Sequence, residues 1–133
     1  MASQLHSSNH PEKDDLTLYQ HLFGGAYGRH VYERVQMGQG DLVPYIHTFV
    51  IREMWMRPGL DLKTKMLVAI GMFLALHREE VKFFVVGALV HGASRQEIEE
   101  VVILSAVEAG FPAALRGSSW VSEALSEYER LEG

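Results

Sequence analysis

Seven histidines and a set of nearby carboxylates are the groups in this 133-residue sequence able to move protons near neutral pH. His77 and Glu80 stand three apart in His77-Arg78-Glu79-Glu80, a polar break between the apolar runs Met66–Leu76 and Val81–Val90. That spacing predicts one shared helix face, where the carboxylate would orient an imidazole acting as acid or base. Glu79 reads as a solvated neighbour. Glu53 precedes Arg57 by four residues, with Trp55 between them. Glu53 is a candidate buried acid, and the Arg57 guanidinium fork could hold a substrate carboxylate. The alternative for that pair is a simple ion pair at a helix end. Trp55 reads as core or pocket wall. His47, with Tyr45 two residues away, and His21 and His30, which flank the Gly24–Gly28 segment, are further candidates for proton transfer or substrate contact. His91 beside Gly92 fits a helix C-terminus, where the dipole favours it.

Other chemistries are poorly supported. There is no cysteine, which excludes disulfides, thiolate zinc sites and thiol redox catalysis. No His-Glu-x-x-His spacing occurs, so no metal site is expected. Gly24–Gly28 has no strand before it and no Lys-Ser/Thr after it, so it is not a phosphate loop. It reads as a flexible connection or a lid. The net charge of -5 offers no basic surface for nucleic acid. No apolar run approaches the roughly 20 residues of a membrane span. Residues 1–15 are polar, lack an apolar signal core and read as a flexible arm. A cytoplasmic protein with a small-molecule substrate is the expectation, with residues 16–133 as one domain.

The elements that must position these groups all read as helices. Asp14-Asp15 suits the start of a helix carrying Leu16, Tyr19, Leu22 and Phe23 at helical spacing. His30–Met37 forms a short second helix, ended by Gly38-Gln39-Gly40. Asp41 caps a helix over Leu42–Trp55, with Pro44 in its first turn and Leu42, Tyr45, Ile46, Phe49 and Val50 as its apolar stripe, widened by Ile51, Met54 and Trp55. Pro58-Gly59 ends it. Asp61 caps the next, running to about His77 and apolar almost all round, hence a central buried helix. Glu79–His91 follows as its kinked continuation or as a separate helix, with Gly92 as a C-terminal cap. Ser94-Arg95-Gln96-Glu97 is a capping box before a helix over Arg95–Ala109, ended by Gly110. Pro112 opens a last helix to about Leu131. No alternating strand pattern appears. The expected fold is all-α with six or so helices. A helix without a polar face in so small a chain needs covering, which predicts a homo-oligomer.

Four stretches resemble the carboxymuconolactone decarboxylase family, which includes the alkylhydroperoxidase D-like proteins. They are Glu53-Met54-Trp55-Met56-Arg57-Pro58-Gly59-Leu60, Lys63-Thr64-Lys65-Met66-Leu67-Val68, Gly87 to Ile98, and Ala109-Gly110-Phe111-Pro112-Ala113-Ala114. Together they cover about Tyr45 to Leu125, and the first is similar to the decarboxylase branch. The resemblance implies an alkylhydroperoxidase D-like helical bundle assembling into trimers or hexamers. Two departures shape the expected chemistry. The Cys-x-x-Cys of the peroxidase branch is absent and Met66 stands where its Glu is expected, so the chain is not a thiol peroxidase. The usual histidine of the decarboxylase branch is replaced by Phe84, which becomes a candidate pocket wall.

The activity this implies is a cofactor-independent, decarboxylase-like lyase reaction on a small cyclic or aromatic carboxylated or lactone compound. It needs a poorly hydrated place for the leaving carboxylate, a donor for the lactone carbonyl and an acid that returns a proton to carbon. No metal or organic cofactor is required. His77, Glu80, Glu53 and His47 are the catalytic candidates, and Arg57, Trp55, Phe84, Tyr45, His21 and His30 the substrate-binding ones. The alternatives are isomerisation, cyclisation or elimination without loss of carbon dioxide, and a non-catalytic oligomeric binding protein.

Overall fold

A computed structural model describes residues 14–38 and 40–133. Of the expected arm, 1–15, Asp14 and Asp15 form the cap and first residue of a helix, while the residues up to 13, like Gln39, lie outside the described residues. Every regular element among them is helical: α1 (Asp15–Phe23), α2 (Gly25–Gln36), α3 (Leu42–Tyr45, continuing as a π-helix over Ile46–Trp55), α4 (Leu62–Ala75), α5 (Val81–Val90), α6 (Arg95–Ala109) and α7 (Phe111–Leu131). None of them is long and apolar enough to cross a membrane. The chain divides between Leu60 and Asp61 into two compact units.

In the first unit, the Asp14 carboxylate accepts the Thr17 N–H at 2.8 Å and starts α1. Gly24, at φ 96°, breaks the chain between α1 and α2 in a conformation closed to most side chains. At Gly28 a Cβ would lie 2.6 Å from the Tyr19 carbonyl oxygen and 2.5 Å from the Gln20 Cα, so α1 and α2 meet backbone to backbone. Leu18, Tyr19, Leu22, Phe23, Tyr27 and Val31 fill the space around that contact. The glycine-rich segment expected as a connection or lid is therefore the opening of α2. Its glycines serve one turn and one close approach.

The larger correction concerns Leu42–Trp55. Most of the expected stripe is turned outward: Leu42, Tyr45 and Phe49 are 65%, 68% and 57% exposed, while only Ile51 of it is buried, beside His47 and Arg52. The cause lies in the winding. A π-helix bonds i to i+5, so residues four and five apart share a face, which groups His47 with Ile51 and Arg52. Polar bonds to α1 then fix that face inward.

In the second unit, Asp61 caps α4 through the Thr64 N–H at 3.1 Å and the Thr64 hydroxyl at 2.8 Å. The Ser94–Glu97 capping box opens α6 with both reciprocal bonds, 2.8 and 3.0 Å. Met66, Ile70, Leu74, Val81, Val85 and Ile98 are fully buried. Gly117 lets α7 approach α4 closely enough that any Cβ would collide with the Leu74 side chain. α4 is not buried all round: Met66, Ala69, Ile70 and Leu74 face in, whereas Val68 and Met72 face out. It also ends before His77. His77 adopts φ 57°, a left-handed conformation that reverses the chain into a separate α5.

Candidate functional site

The polar groups of the first unit converge on His47, carried inward by the π-helix. Its Nδ1 lies 3.0 Å from the Tyr19 hydroxyl of α1, and its Nε2 lies 2.8 Å from Gln36 Oε1 at the end of α2. The Gln36 amide Nε2 donates in turn to the Tyr32 hydroxyl at 3.0 Å. The rings pack as tightly as the hydrogen bonds imply: Tyr32 stacks on the imidazole at 5.4 Å and 22°, and Tyr19 meets it edge-on at 5.5 Å and 87°. One π-helical turn on, Arg52 Nη2 reaches Asp15 Oδ1 at 3.0 Å and ties the π-helix to α1 a second time.

Burial is the main influence on the two titratable groups at the centre. It lowers the His47 pKa below the ordinary histidine value, against the pull of the Asp15 charge. It raises the Tyr19 pKa well above the ordinary phenol value, with Asp15 and Tyr32 adding to the shift. At neutral pH the pair is an uncharged imidazole facing an intact phenol.

Glu53 lies on the same π-helix and was singled out in the sequence as a buried acid. It is half-buried as a residue, yet its Oε1 is sealed from solvent and has no hydrogen-bond partner among the described residues. Buried carboxylate oxygens are almost always satisfied, by a protein donor, by water or by a bound group.

The remaining candidates are dispersed. Tyr45 stands on the exposed face of the π-helix, Trp55 is half-buried near its end, and Arg57 is exposed just beyond it. His21 is exposed on α1, and His30, on α2, is exposed and leans on Tyr27 with ring centres 5.5 Å apart. In the second unit, His77 is exposed in its left-handed turn, and Glu80 pairs with Arg78 at 3.2 Å just ahead of α5. His77 and Glu80 thus do not share a helix face, because the helix stops between the apolar run and the histidine. Phe84 is half-buried and stacks on Phe73 at 4.8 Å. A shallow groove of about 190 Å³ lies between α4 and α6, lined by Gly71, Ala75, Leu104 and Glu108 among others. No candidate residue lines it. No group of three or more metal-ligating side chains is assembled among the described residues.

Tyr19, Tyr32 and Gln36 carried no signal as site residues. Tyr19 reads from its spacing as one more apolar core position, and its partner His47 lies 28 residues away. Only the position of His47 itself was visible.

The part of the chain from Tyr45 through the whole π-helix to residue 123 is similar to a known family. The model of the carboxymuconolactone decarboxylase family matches residues 45–123. A 4-carboxymuconolactone decarboxylase from Acinetobacter baylyi is 29% identical over 103 residues, 77% of each chain. The family model begins at Tyr45, so it takes in His47 and Glu53 and lies beyond Tyr19, Tyr32 and Gln36.

Proposed function

Because the chain belongs to the carboxymuconolactone decarboxylase family, we propose that it is a cofactor-independent lyase that decarboxylates a small lactone acid of the 4-carboxymuconolactone type. The relative's activity supplies the substrate class. The observation that carries the reading to this chain is Glu53, whose unsatisfied buried oxygen sits within the matched region.

In this reaction the bond from ring carbon to carboxylate breaks, and carbon dioxide leaves. The electron pair left behind delocalises into the lactone carbonyl as an enolate, and a proton is then delivered to carbon. Glu53 is assigned the proton delivery, since a carboxyl group sealed from water can hand a proton to carbon without competition from solvent. Arg57 is assigned to a substrate carboxylate that is retained, through its fork of donors. Tyr45 and Trp55 are assigned to the walls of the binding place. His77 and Glu80, in an exposed turn, are assigned no chemical step. The exposed apolar face that bears Tyr45 supports an assembled, homo-oligomeric enzyme.

Glu53→Gln tests the assignment. It keeps the size and removes the transferable proton, and is expected to lower kcat for carbon dioxide release by at least about 10²-fold while the circular dichroism spectrum is unchanged. A variant with wild-type kcat would remove Glu53 from the mechanism.

A further inference from the structure

The hydrogen bonds around His47 have a direction, and one buried group sets it. Two complete arrangements connect the four side chains. In the first, the Tyr19 O–H donates to His47 Nδ1, His47 Nε2–H donates to Gln36 Oε1, and Gln36 Nε2–H donates to Tyr32. In the second, with the Gln36 amide turned over, every bond runs the other way and His47 donates from Nδ1 to Tyr19. The second arrangement strands the Tyr19 proton. Tyr19 is fully buried, and its hydroxyl has His47 as its single hydrogen-bond partner among the described residues. A buried hydroxyl proton with no acceptor is costly. Tyr32, half-buried at the other end, can be satisfied either way.

Tyr19 must therefore donate, which places the imidazole proton on Nε2 and points it at Gln36. Gln36 is an exposed side chain whose carbonyl oxygen occupies that donor at 2.8 Å. It can swing into water with little loss. Its Oε1 marks the place of an oxygen acceptor in front of a buried, directed N–H.

We infer that His47 Nε2–H is a binding donor for a carbonyl or carboxylate oxygen of the substrate, which displaces Gln36, and that Tyr19 is the positioning residue that holds this tautomer. The inference rests on the proposed lactone-acid reading for the identity of that oxygen. It supplies the donor that such a reaction needs at the carbonyl where charge develops. A neutral imidazole suits this role, since it stabilises the enolate oxygen without first transferring its proton. The Tyr19 O–H behind it strengthens the polarisation through the ring. Tyr19, Tyr32 and Gln36 lie ahead of the region matched by the family model, and His47 lies within it.

The test uses the full chain, with ¹⁵N-labelled histidine and muconolactone as a lactone-acid probe. At pH 8 the wild-type His47 is expected to show the Nε2–H tautomer, and saturating muconolactone to shift that proton. Gln36→Ala removes the competing acceptor at an exposed position and is expected to tighten muconolactone binding several-fold. Tyr19→Phe releases the tautomer, giving a mixed population and binding weaker by about tenfold, the worth of one neutral hydrogen bond. An Nδ1–H tautomer in the wild type, or unchanged or weakened binding in Gln36→Ala, would overturn the inference even if Tyr19→Phe failed to fold. None of these readouts requires turnover. Loss of the lyase activity with the tautomer and binding results intact would count against the proposed reaction alone.

Discussion

At the scale of single residues, His47 combines two properties that a surface histidine lacks: burial and saturation of both ring nitrogens. Its lowered pKa has a consequence for stability. The folded protein binds this proton less readily than the unfolded chain, so the unfolded state gains protons first as the pH falls. Stability attached to His47 is complete above its ordinary value of 6.5 and is lost as the pH drops from there towards the lowered folded value. Urea midpoints between pH 7.5 and 5 should therefore fall more steeply in the wild type than in His47→Gln, where the titrating group is gone. Parallel curves for the two proteins would show that His47 titrates alike folded and unfolded. The carboxylates of Asp14, Asp61 and Glu97 act lower on the scale. Each is held below its usual range by the hydrogen bonds of a helix cap, foremost Thr17, Thr64 and Ser94 respectively. These caps were legible in the sequence, because a cap is a contact between residues three apart. The Tyr19–His47–Gln36 chain was not, because its bonds span 28 and 11 residues. Glu53 was visible as a residue type in a motif, but the burial of its oxygen is a property of the fold.

At the scale of elements, the helices that differ most from expectation are Leu42–Trp55 and Leu62–Ala75, whose buried faces were read from their apolar residues. Apolar residues mark which face a helix hides, and an α-helical period was the natural assumption for Leu42–Trp55. The π-winding overrides that assumption, and no local residue type announces it. The helix ends were better specified: Asp61, the Ser94–Glu97 box and Gly110 all stand where their residue types require. His77 is the exception, since a left-handed histidine cannot be foreseen from composition. The α1–α2 pair offers a clean test of how this site is built. Gly28→Ala would push a Cβ into the Tyr19 and Gln20 backbone, whereas a Cβ at Gly25 meets nothing within 4 Å. Gly28→Ala should cost about 2–3 kcal/mol, lowering the melting temperature by on the order of 10 °C. Gly25→Ala, on the same helix, should leave it unchanged or raise it slightly. Equal effects of the two substitutions would mean that α1 and α2 do not meet at Gly28.

At the scale of the whole molecule, each unit keeps a core and leaves apolar side chains in water. Leu42, Tyr45, Phe49 and Met54 do so in the first unit, and Met72, Leu104, Val107 and Phe111 in the second. Apolar exposure on this scale is characteristic of surfaces that are covered in use. Light scattering on the wild type is expected to give a multiple of the 15.0 kDa chain mass, and Phe49→Asp to lower that mass. A wild-type monomer at micromolar concentration would refute the proposed assembly. The all-α class and the family were both legible in the sequence, because caps, glycine stops and the Glu53–Leu60 stretch are local patterns. The reaction was not, because it depends on which buried groups meet a ligand. The most direct measurement is carbon dioxide release from 4-carboxymuconolactone labelled with ¹³C at the leaving carboxyl. The account predicts one labelled carbon dioxide for each substrate consumed by the wild-type protein, with no added metal or cofactor. Consumption of the lactone with the label retained in the product would contradict it.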